Sequence, residues 1–419
     1  MAKKGSSMLL TVDAHRIMDR LQKLGSIGQV PDIGLWRRPY TKAYRESMDL
    51  LTSWMKEAGL AVRHDAIGNL IGSLPGNKTE GGIVCTGSHL DTVKNGGKFD
   101  GALGIVVAIE VVQVLKNQCG NPDFPIEVIA FIGEEGSWFP YGCFGSRAMV
   151  GELSEDDLQW TNDEGITLAE AMRQEGYNPE SIQEAHLLDH EVKAFIELHI
   201  EQGRILYDAN IPVGIVQSIV GLRQIKITIK GRADHAGTTP MNIRYDPMVA
   251  AAEMITATTE LVRKTDHMGV ITFGQLLVVP NMANVIAEEV ELVADIRHPD
   301  LHVLNKICQD VQNICKSIAQ RWSLEVTSSV VVDNVPVDMD PEIVNLVTYC
   351  ANQLGIPYQS LYSGAGHDAM ILGRHYPTGM IFVPSRAGRS HCPEEWTDVQ
   401  DIEKGTQVLY RVLYELAYN

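Results

Sequence analysis

Histidines and carboxylates in this chain recur just beyond short apolar runs. His89 and Asp91 follow the run Ile83-Val84-Cys85-Thr86-Gly87-Ser88. Asp100 stands in the glycine-rich stretch Gly96-Gly97-Lys98-Phe99-Asp100-Gly101. Glu134 and Glu135 follow the run Ile126 to Ile132, and His199 and Glu201 close the run that begins at Ala194. His391 lies in Ser390-His391-Cys392-Pro393, after the apolar run Thr378 to Val383. Imidazole mixed with carboxylate suits Zn²⁺, Mn²⁺, Co²⁺ or Ni²⁺ better than Ca²⁺. Two such cations close together need a bridging anion, which one carboxylate supplies. The pair lowers the pKa of a shared water, and a carboxylate that is not a ligand can take its proton. The adjacent Glu134-Glu135 meets this need if a turn brings both to the site, because neighbours on an extended chain point opposite ways. A lone histidine or acidic pair is ordinarily surface, so the weight lies in the combination. His15, His64, His186, His190, His267, His298, His302 and His375 have no such setting and read as surface or packing residues.

The elements that must position these groups are legible from periodicity. Residues 13–24 and 43–59 read as amphipathic helices; in the second, Tyr44, Met48, Leu51, Trp54 and Met55 recur at helical spacing. Ile83 to Ser88 reads as a buried strand, Gly101 to Leu115 as a helix, and Ile126 to Ile132 as a second strand, which is the pattern of a layered α/β domain. The candidates then fall at carboxyl ends of strands, where open α/β sheets gather their functional groups. Residues 151–190 are acidic and irregular. From about Gln217 the pattern changes: Ile225, Ile227 and Ile229 alternate with polar residues. A helix from Asp246 to Lys264, strands near Val270 to Phe273 and Glu289 to Arg297, a helix from Leu301 to Arg321 and a strand from Leu324 to Val332 follow. That order is the ferredoxin-like split βαβ arrangement. Residues 217–333 therefore read as a small α+β domain inserted into a larger α/β domain made of 1–216 and 334–419.

Composition narrows the classes. At 419 residues, two domains are expected. A net charge of −18 argues against nucleic acid or an anionic membrane surface as the main partner. No apolar run reaches the roughly 20 residues that span a bilayer. Lys3 and Lys4 precede only a short apolar stretch, Met8 to Val12, which Asp13 interrupts, so it does not read as a secretory signal and Asn77-Lys78-Thr79 reads as an unused glycosylation match. Seven scattered cysteines without a CxxC pair read as reduced thiols of a cytoplasmic protein.

Five segments together carry a resemblance: Ser88-His89-Leu90-Asp91-Thr92-Val93, Gly97-Lys98-Phe99-Asp100-Gly101, Glu134-Glu135-Gly136, Glu197-Leu198-His199-Ile200-Glu201-Gln202-Gly203 and Asp234-His235-Ala236-Gly237-Thr238-Thr239-Pro240-Met241. They resemble the hydantoinase/carbamoylase family of di-metal amidohydrolases. Ser363-Gly364-Ala365-Gly366-His367-Asp368 and Ser390-His391-Cys392-Pro393-Glu394-Glu395-Trp396 match as well, so the likeness spans almost the whole chain. His199 stands where the related peptidases usually have Asp. The resemblance implies a di-metal exopeptidase-like catalytic domain with an inserted lid and dimerisation domain, and two divalent metal ions per subunit of a homodimer. His89, Asp100 and His199 would hold one metal, and Asp100, Glu135 and His391 the other. Glu134 would be the general base, Asp91 would orient His89, and His235 would stabilise the oxyanion. Gln202, Asn284, Arg297, Gly366 and His367 would hold the substrate, with Arg297 on its carboxylate. The implied reaction is hydrolysis of N-carbamoyl-L-amino acids to the amino acid, carbon dioxide and ammonia. The alternative is allantoate amidohydrolase or another ureide-degrading activity (β-ureidopropionase, ureidoglycolate amidohydrolase).

Two departures from the family pattern concern the substrate: Trp138 stands where many members carry a basic residue, and Cys392 is an unusual neighbour for His391. A non-catalytic metal-stabilised binding protein would have lost the base, yet Glu134 is present. A nucleotide-binding oxidoreductase would need a GxGxxG turn between its first strand and helix, and none is found there.

Overall fold

A computed structural model describes residues 12–78, 80–187 and 191–419. The lysines and most of the apolar stretch at the N-terminus, Thr79 of the glycosylation match and His190 lie outside these. The chain divides into two units, one running to Gln217 and resuming at Asp338–Asn419, the other Ser218–Val337.

The first unit is built on a nine-stranded mixed sheet. Its centre is four parallel strands in the spatial order Thr378–Val383, Val192–Ile200, Ile83–His89, Ile126–Phe131. Every residue of Thr378–Val383 and Ile126–Phe131 is buried, as expected of parallel strands covered on both faces. Leu70–Leu74 and Ala61–His64 extend one edge in antiparallel fashion, and Val213–Ile219 pairs antiparallel on the other side of Thr378–Val383. The chain passes from Ile83–His89 to Ile126–Phe131 on one side, then returns across it to Val192–Ile200 on the other. Such a reversal opens a crevice at the carboxyl ends of the strands. The register sets His89 opposite Phe131 and His199 opposite Phe382, so these strands end together.

Helix Ala102–Cys119 links the first two central strands. It is apolar nearly all round, with thirteen of its residues buried, which marks a core helix rather than a surface one. It is long and apolar enough to cross a membrane by composition alone, but it lies packed inside this unit. Its one buried acid, Glu110, accepts a paired contact from Arg16 at 2.8 and 2.7 Å and the Asp13 N–H at 3.0 Å. Gly104 sets how closely the helix approaches the sheet: a Cβ there would lie 2.3 Å from the Leu198 carbonyl and 2.8 Å from the Ser88 Cβ.

The second unit is a four-stranded antiparallel sheet in the order Val270–Val279, Glu289–His298, Gly221–Lys230, Glu325–Asn334. Helices Pro247–Thr265 and Leu301–Arg321 cover one face. Strand Glu289–His298 buries every second residue; Val290, Leu292, Ala294 and Ile296 join Ile225, Ile227 and Ile229 in a core of its own. This unit ends a few residues beyond the sequence-read limit of 333. The strand Glu325–Asn334 stays paired as far as Asn334 opposite Leu222, and Pro336 still packs against Gly221.

Gly104→Ala is expected to force the core helix away from Ser88 and Leu198 and to destabilise the fold by about 1–3 kcal/mol. Denaturant unfolding measures this; an unchanged midpoint would remove the close approach as a constraint.

Candidate metal centre

The loops at the carboxyl ends of the four parallel strands bring together His89, Asp100, Glu134, Glu135, His199 and His391. Asp100 is the hub. Its Oδ1 lies 3.3 Å from His89 Nε2 and 3.2 Å from His199 Nε2, and its Oδ2 lies 3.2 Å from His391 Nε2. Glu135 Oε2 is 3.5 Å from His391 Nε2, and Glu134 Oε2 is 3.9 Å from His89 Nε2. Ligand atoms of His89, Asp100 and His199 converge within one ion's reach, as do those of Asp100, Glu135 and His391. Asp100 thus turns one oxygen to each set.

The donor set fits two divalent cations. Asp100 Oδ1 and Glu135 Oε1 are buried without a hydrogen-bond partner, a costly state unless a cation completes them. The imidazoles reach Asp100 Oδ1 at ion-pair distance without hydrogen-bond geometry, as ligands aimed at a common ion would. Each of the two buried histidines has its second nitrogen engaged: His89 Nδ1 lies 3.1 Å from the Asp91 carbonyl and His199 Nδ1 2.9 Å from the Ile200 carbonyl. That makes Nδ1 the donor in both rings and turns Nε2 towards Asp100, although His199 Nε2 also accepts the Gly101 N–H at 3.1 Å.

Local backbone explains how Asp100 gets there. Gly101 has φ +63°, and a Cβ on it would lie 2.5 Å from the His89 ring. Only glycine allows the chain to turn into the core helix so near a ligand. Glu395 Oε1 accepts the N–H groups of Phe99 (2.8 Å) and Asp100 (3.0 Å), while its Oε2 accepts Ser390 Oγ at 2.8 Å. Ser390 Oγ also sits 2.9 Å from Asp100 Oδ2. Glu395 therefore ties the loop of Asp100 to the loop of His391. His391 and Gln202 both adopt left-handed backbone, φ +56° and +59°, an unfavourable state that clusters at functional sites.

Asp91 acts differently from the sequence reading. Its carboxylate stands 3.8 Å from His89 Nδ1, too far for a hydrogen bond, and the backbone carbonyl of Asp91 takes that place. The carboxylate instead accepts three N–H groups, from Gly133 (2.9 Å), Glu134 (3.1 Å) and Glu135 (3.1 Å). It shapes the turn that lets two adjacent glutamates face one site.

The remaining candidates divide between the units. In the first, Gln202 Nε2 donates to Asp100 Oδ2 at 2.8 Å and lies 3.2 Å from His391 Nε2, so it is part of the cluster. His367 is buried with its ring 4.6 Å from that of His199, and its Nε2 is 2.8 Å from Ser363 Oγ. A Cβ on Gly366 would meet only Met370, at 3.8 Å. In the second unit, His235 is exposed and its Nδ1 accepts the N–H groups of Gly237 (3.0 Å) and Thr238 (3.3 Å). Its proton is therefore on Nε2, available as a donor. Asn284 is exposed, with its carbonyl accepting the Ala236 N–H at 3.1 Å. Arg297 is engaged by Asp295 through two nitrogens, at 2.8 and 3.2 Å.

Besides Glu395, two further buried acids beside the centre were not among the sequence candidates. Glu197 accepts Ser88 Oγ at 2.7 Å and the Ala369 N–H at 3.0 Å; Asp368 accepts Ser146 Oγ at 2.6 Å. Glu197 was detectable as a lone charge inside an apolar strand.

Electrostatics follow from crowding. Burial, only partly offset by His89, pushes Glu134 up to about 8. Burial and then Asp100 push Glu135 well above the usual carboxylate range. Burial disfavours a charged His89, yet Glu134, Asp100, Asp91 and Glu135 outweigh it and hold its pKa well above the ordinary value. The hydrogen bond to Asp100 raises His391 to about 9 against its burial. The cluster stores positive charge as protons wherever no cation supplies it.

A profile of peptidase family M20/M25/M40 matches residues 85–415. An N-carbamoyl-L-amino acid amidohydrolase of Geobacillus stearothermophilus is 43% identical over 406 residues, covering 97% of this chain and 99% of that one. An allantoate amidohydrolase of Bacillus subtilis is 38% identical over 408 residues, covering 96% and 98%. A hydantoinase/carbamoylase family amidase of Burkholderia multivorans superposes with a TM-score of 0.90 at 33% identity, covering 97% of this chain and 98% of that one.

Glu134 and His391 both have folded pKa values above their ordinary 4.5 and 6.5. Their contributions are complete below the ordinary values and are lost as pH rises through about 8 and about 9. Chelator-treated protein should therefore lose stability from about pH 4.5 to about pH 9, and Glu134→Gln should flatten the part of that slope below about pH 8. Denaturant midpoints of the metal-free protein across this range test it; a flat wild-type profile would sink the account.

Proposed function

The chain belongs to peptidase family M20/M25/M40, within its hydantoinase/carbamoylase branch, and from that premise we propose that it hydrolyses N-carbamoyl-L-amino acids to the free amino acid, carbon dioxide and ammonia. The observation that carries the reading is Asp100 set between His89 and His199 on one oxygen and His391 on the other. The identity of 43% to a carbamoyl-amino-acid hydrolase over nearly full length supports the substrate class. The identity of 38% to an allantoate amidohydrolase supports the ureide alternative, which would use the same cluster.

His89, Asp100 and His199 would hold one divalent ion and Asp100, Glu135 and His391 the second, with zinc, manganese, cobalt and nickel all suited to these donors. When bound, such a pair polarises the ureido carbonyl and acidifies a shared water. Glu134, whose Oε2 lies 3.9 Å from His89 Nε2, takes the proton of the attacking water and returns it to the departing nitrogen. Asp91 holds Glu134 in place through the loop N–H groups. Release of the amino acid leaves carbamate, which falls apart to carbon dioxide and ammonia. Gln202, Gly366 and His367 are assigned to substrate contact on the first unit.

On the second unit we assign His235, through its Nε2–H, to the developing oxyanion, and Asn284 and Arg297 to the substrate's polar groups. Arg297 would exchange Asp295 for the substrate carboxylate, a swap of one two-point contact for another. We read this unit as a ferredoxin-like lid and dimerisation domain. In support, its edge strand Val270–Val279 carries exposed Leu276, Leu277 and Val279, followed by exposed Met282, an edge that invites pairing with a second copy. A cytoplasmic location fits the unpaired cysteines.

Ammonia release by metal-reconstituted protein from N-carbamoyl-L-amino acids, N-carbamoyl-β-alanine and allantoate tests the reading. Release from the first class is expected, with loss on chelation and a fall of about a hundredfold or more in Glu134→Gln. Release from allantoate alone would transfer the assignment to the alternative. No release from any, with both metals bound, would overturn it.

A further inference from the structure

Arg37 is fully buried, yet it has no ion pair with a carboxylate among the described residues. Its Nε donates to the Leu90 carbonyl at 2.7 Å and its Nη1 to the Leu24 carbonyl at 3.1 Å, while Nη2 has no hydrogen-bond partner. The backbone joins in: Arg37 N–H donates to Thr92 Oγ1 at 2.9 Å, and the Thr92 N–H donates to the Arg37 carbonyl at 3.3 Å. Arg37 thus grips the chain on both sides of Asp91. Burial lowers its pKa to about 10, with Tyr44 and Asp91 acting the other way, so it is a cation at neutral pH.

A lone guanidinium in the interior is costly, and here it sits behind a run of functional positions. Leu90 lies between His89 and Asp91. The Asp91 carbonyl fixes the tautomer of His89, and the Asp91 carboxylate holds the N–H groups of Glu134 and Glu135. Ser137, on the same glutamate loop, donates to the Thr92 carbonyl at 3.0 Å. Apart from the contact with Leu24 at the end of helix Ala14–Leu24, every link from Arg37 runs to the segment Leu90 to Thr92, beside the proposed ligand His89.

We infer that Arg37 is a positioning residue for the metal centre: it fixes residues Leu90 to Thr92, opposes the charge of Asp91, and through Asp91 sets His89 and Glu135 at their distances from Asp100. The inference rests on the di-metal reading above. It assigns Arg37 no contact with substrate or with the reacting atoms.

The test is metal affinity, which a merely structural residue would leave alone. Zn²⁺ or Mn²⁺ is titrated into metal-free protein against a competing chelator, for the wild type, Arg37→Gln, Arg37→Lys and Thr92→Val. Arg37→Gln should weaken binding by about 10- to 100-fold and lower kcat with KM nearly unchanged. Arg37→Lys keeps the charge but cannot fork to two carbonyls, and should fall between it and the wild type. Thr92→Val, nearly isosteric and removing only the backbone anchor of Arg37, should show a smaller loss in the same direction and serves if the arginine variants do not fold. Wild-type affinity and kcat in folded variants, with only a lowered unfolding midpoint, would overturn the inference. A wild-type protein that binds neither cation would instead overturn the metal reading on which it rests.

Discussion

Asp100 has to offer one oxygen to His89 and His199 and the other to His391, and most of the surrounding architecture serves that requirement. The aspartate does not sit on a regular element, and its two oxygens face imidazoles from three different strand ends. It occupies a loop whose N–H groups are held by Glu395, from a segment almost three hundred residues later. The loop enters the core helix through Gly101, whose missing side chain leaves room for the His89 ring. A chain that met these conditions could still misplace the glutamates, and Asp91 prevents that by collecting three successive N–H groups of their turn.

The parallel sheet makes this arrangement rigid. Its four central strands are buried on both faces and end in register. Ligands hung from such strands inherit the stiffness of the sheet rather than of a loop. The cost is concentration of charge in a buried place: seven carboxyls (Asp91, Asp100, Glu134, Glu135, Glu197, Asp368 and Glu395) and four imidazoles (His89, His199, His367 and His391) crowd the strand ends. Burial, only partly offset by His89, raises the Glu134 carboxyl to about 8, so its charged form depends on the positive groups gathered beside it.

Much of this was legible in the sequence because the ligands obey a local rule. His89, Glu134, Glu135 and His199 each follow an apolar run, and a run followed by a ligand-type residue can be read without knowing the fold. The central strands and both helices of the second unit were legible for the same reason, since their apolar patterns are long. Short elements were not: Ala61–His64 is mostly exposed, and Val213–Ile219 runs directly into the strand from Gly221. Arg37 and Glu395 were illegible as support residues because their partners are backbone groups of remote segments, which leave no trace in side-chain type. The family resemblance implies the carboxylate of Asp91 as a partner for His89, whereas the geometry gives that contact to its own carbonyl.

The core helix Ala102–Cys119 carries one further consequence, in the order of assembly. Its covering elements come from far down the chain: Tyr410 donates to Gln118 at 2.9 Å, and the Phe124 N–H reaches the Ala417 carbonyl at 3.0 Å. The strand Thr378–Val383 and the ligand His391 also arrive late. Until those segments pack, one side of this apolar helix lacks its cover, a condition that favours aggregation of partly folded chains. The group Asp100, Glu135 and His391 therefore comes together only after the strand Thr378–Val383 has joined the sheet beside Val192–Ile200.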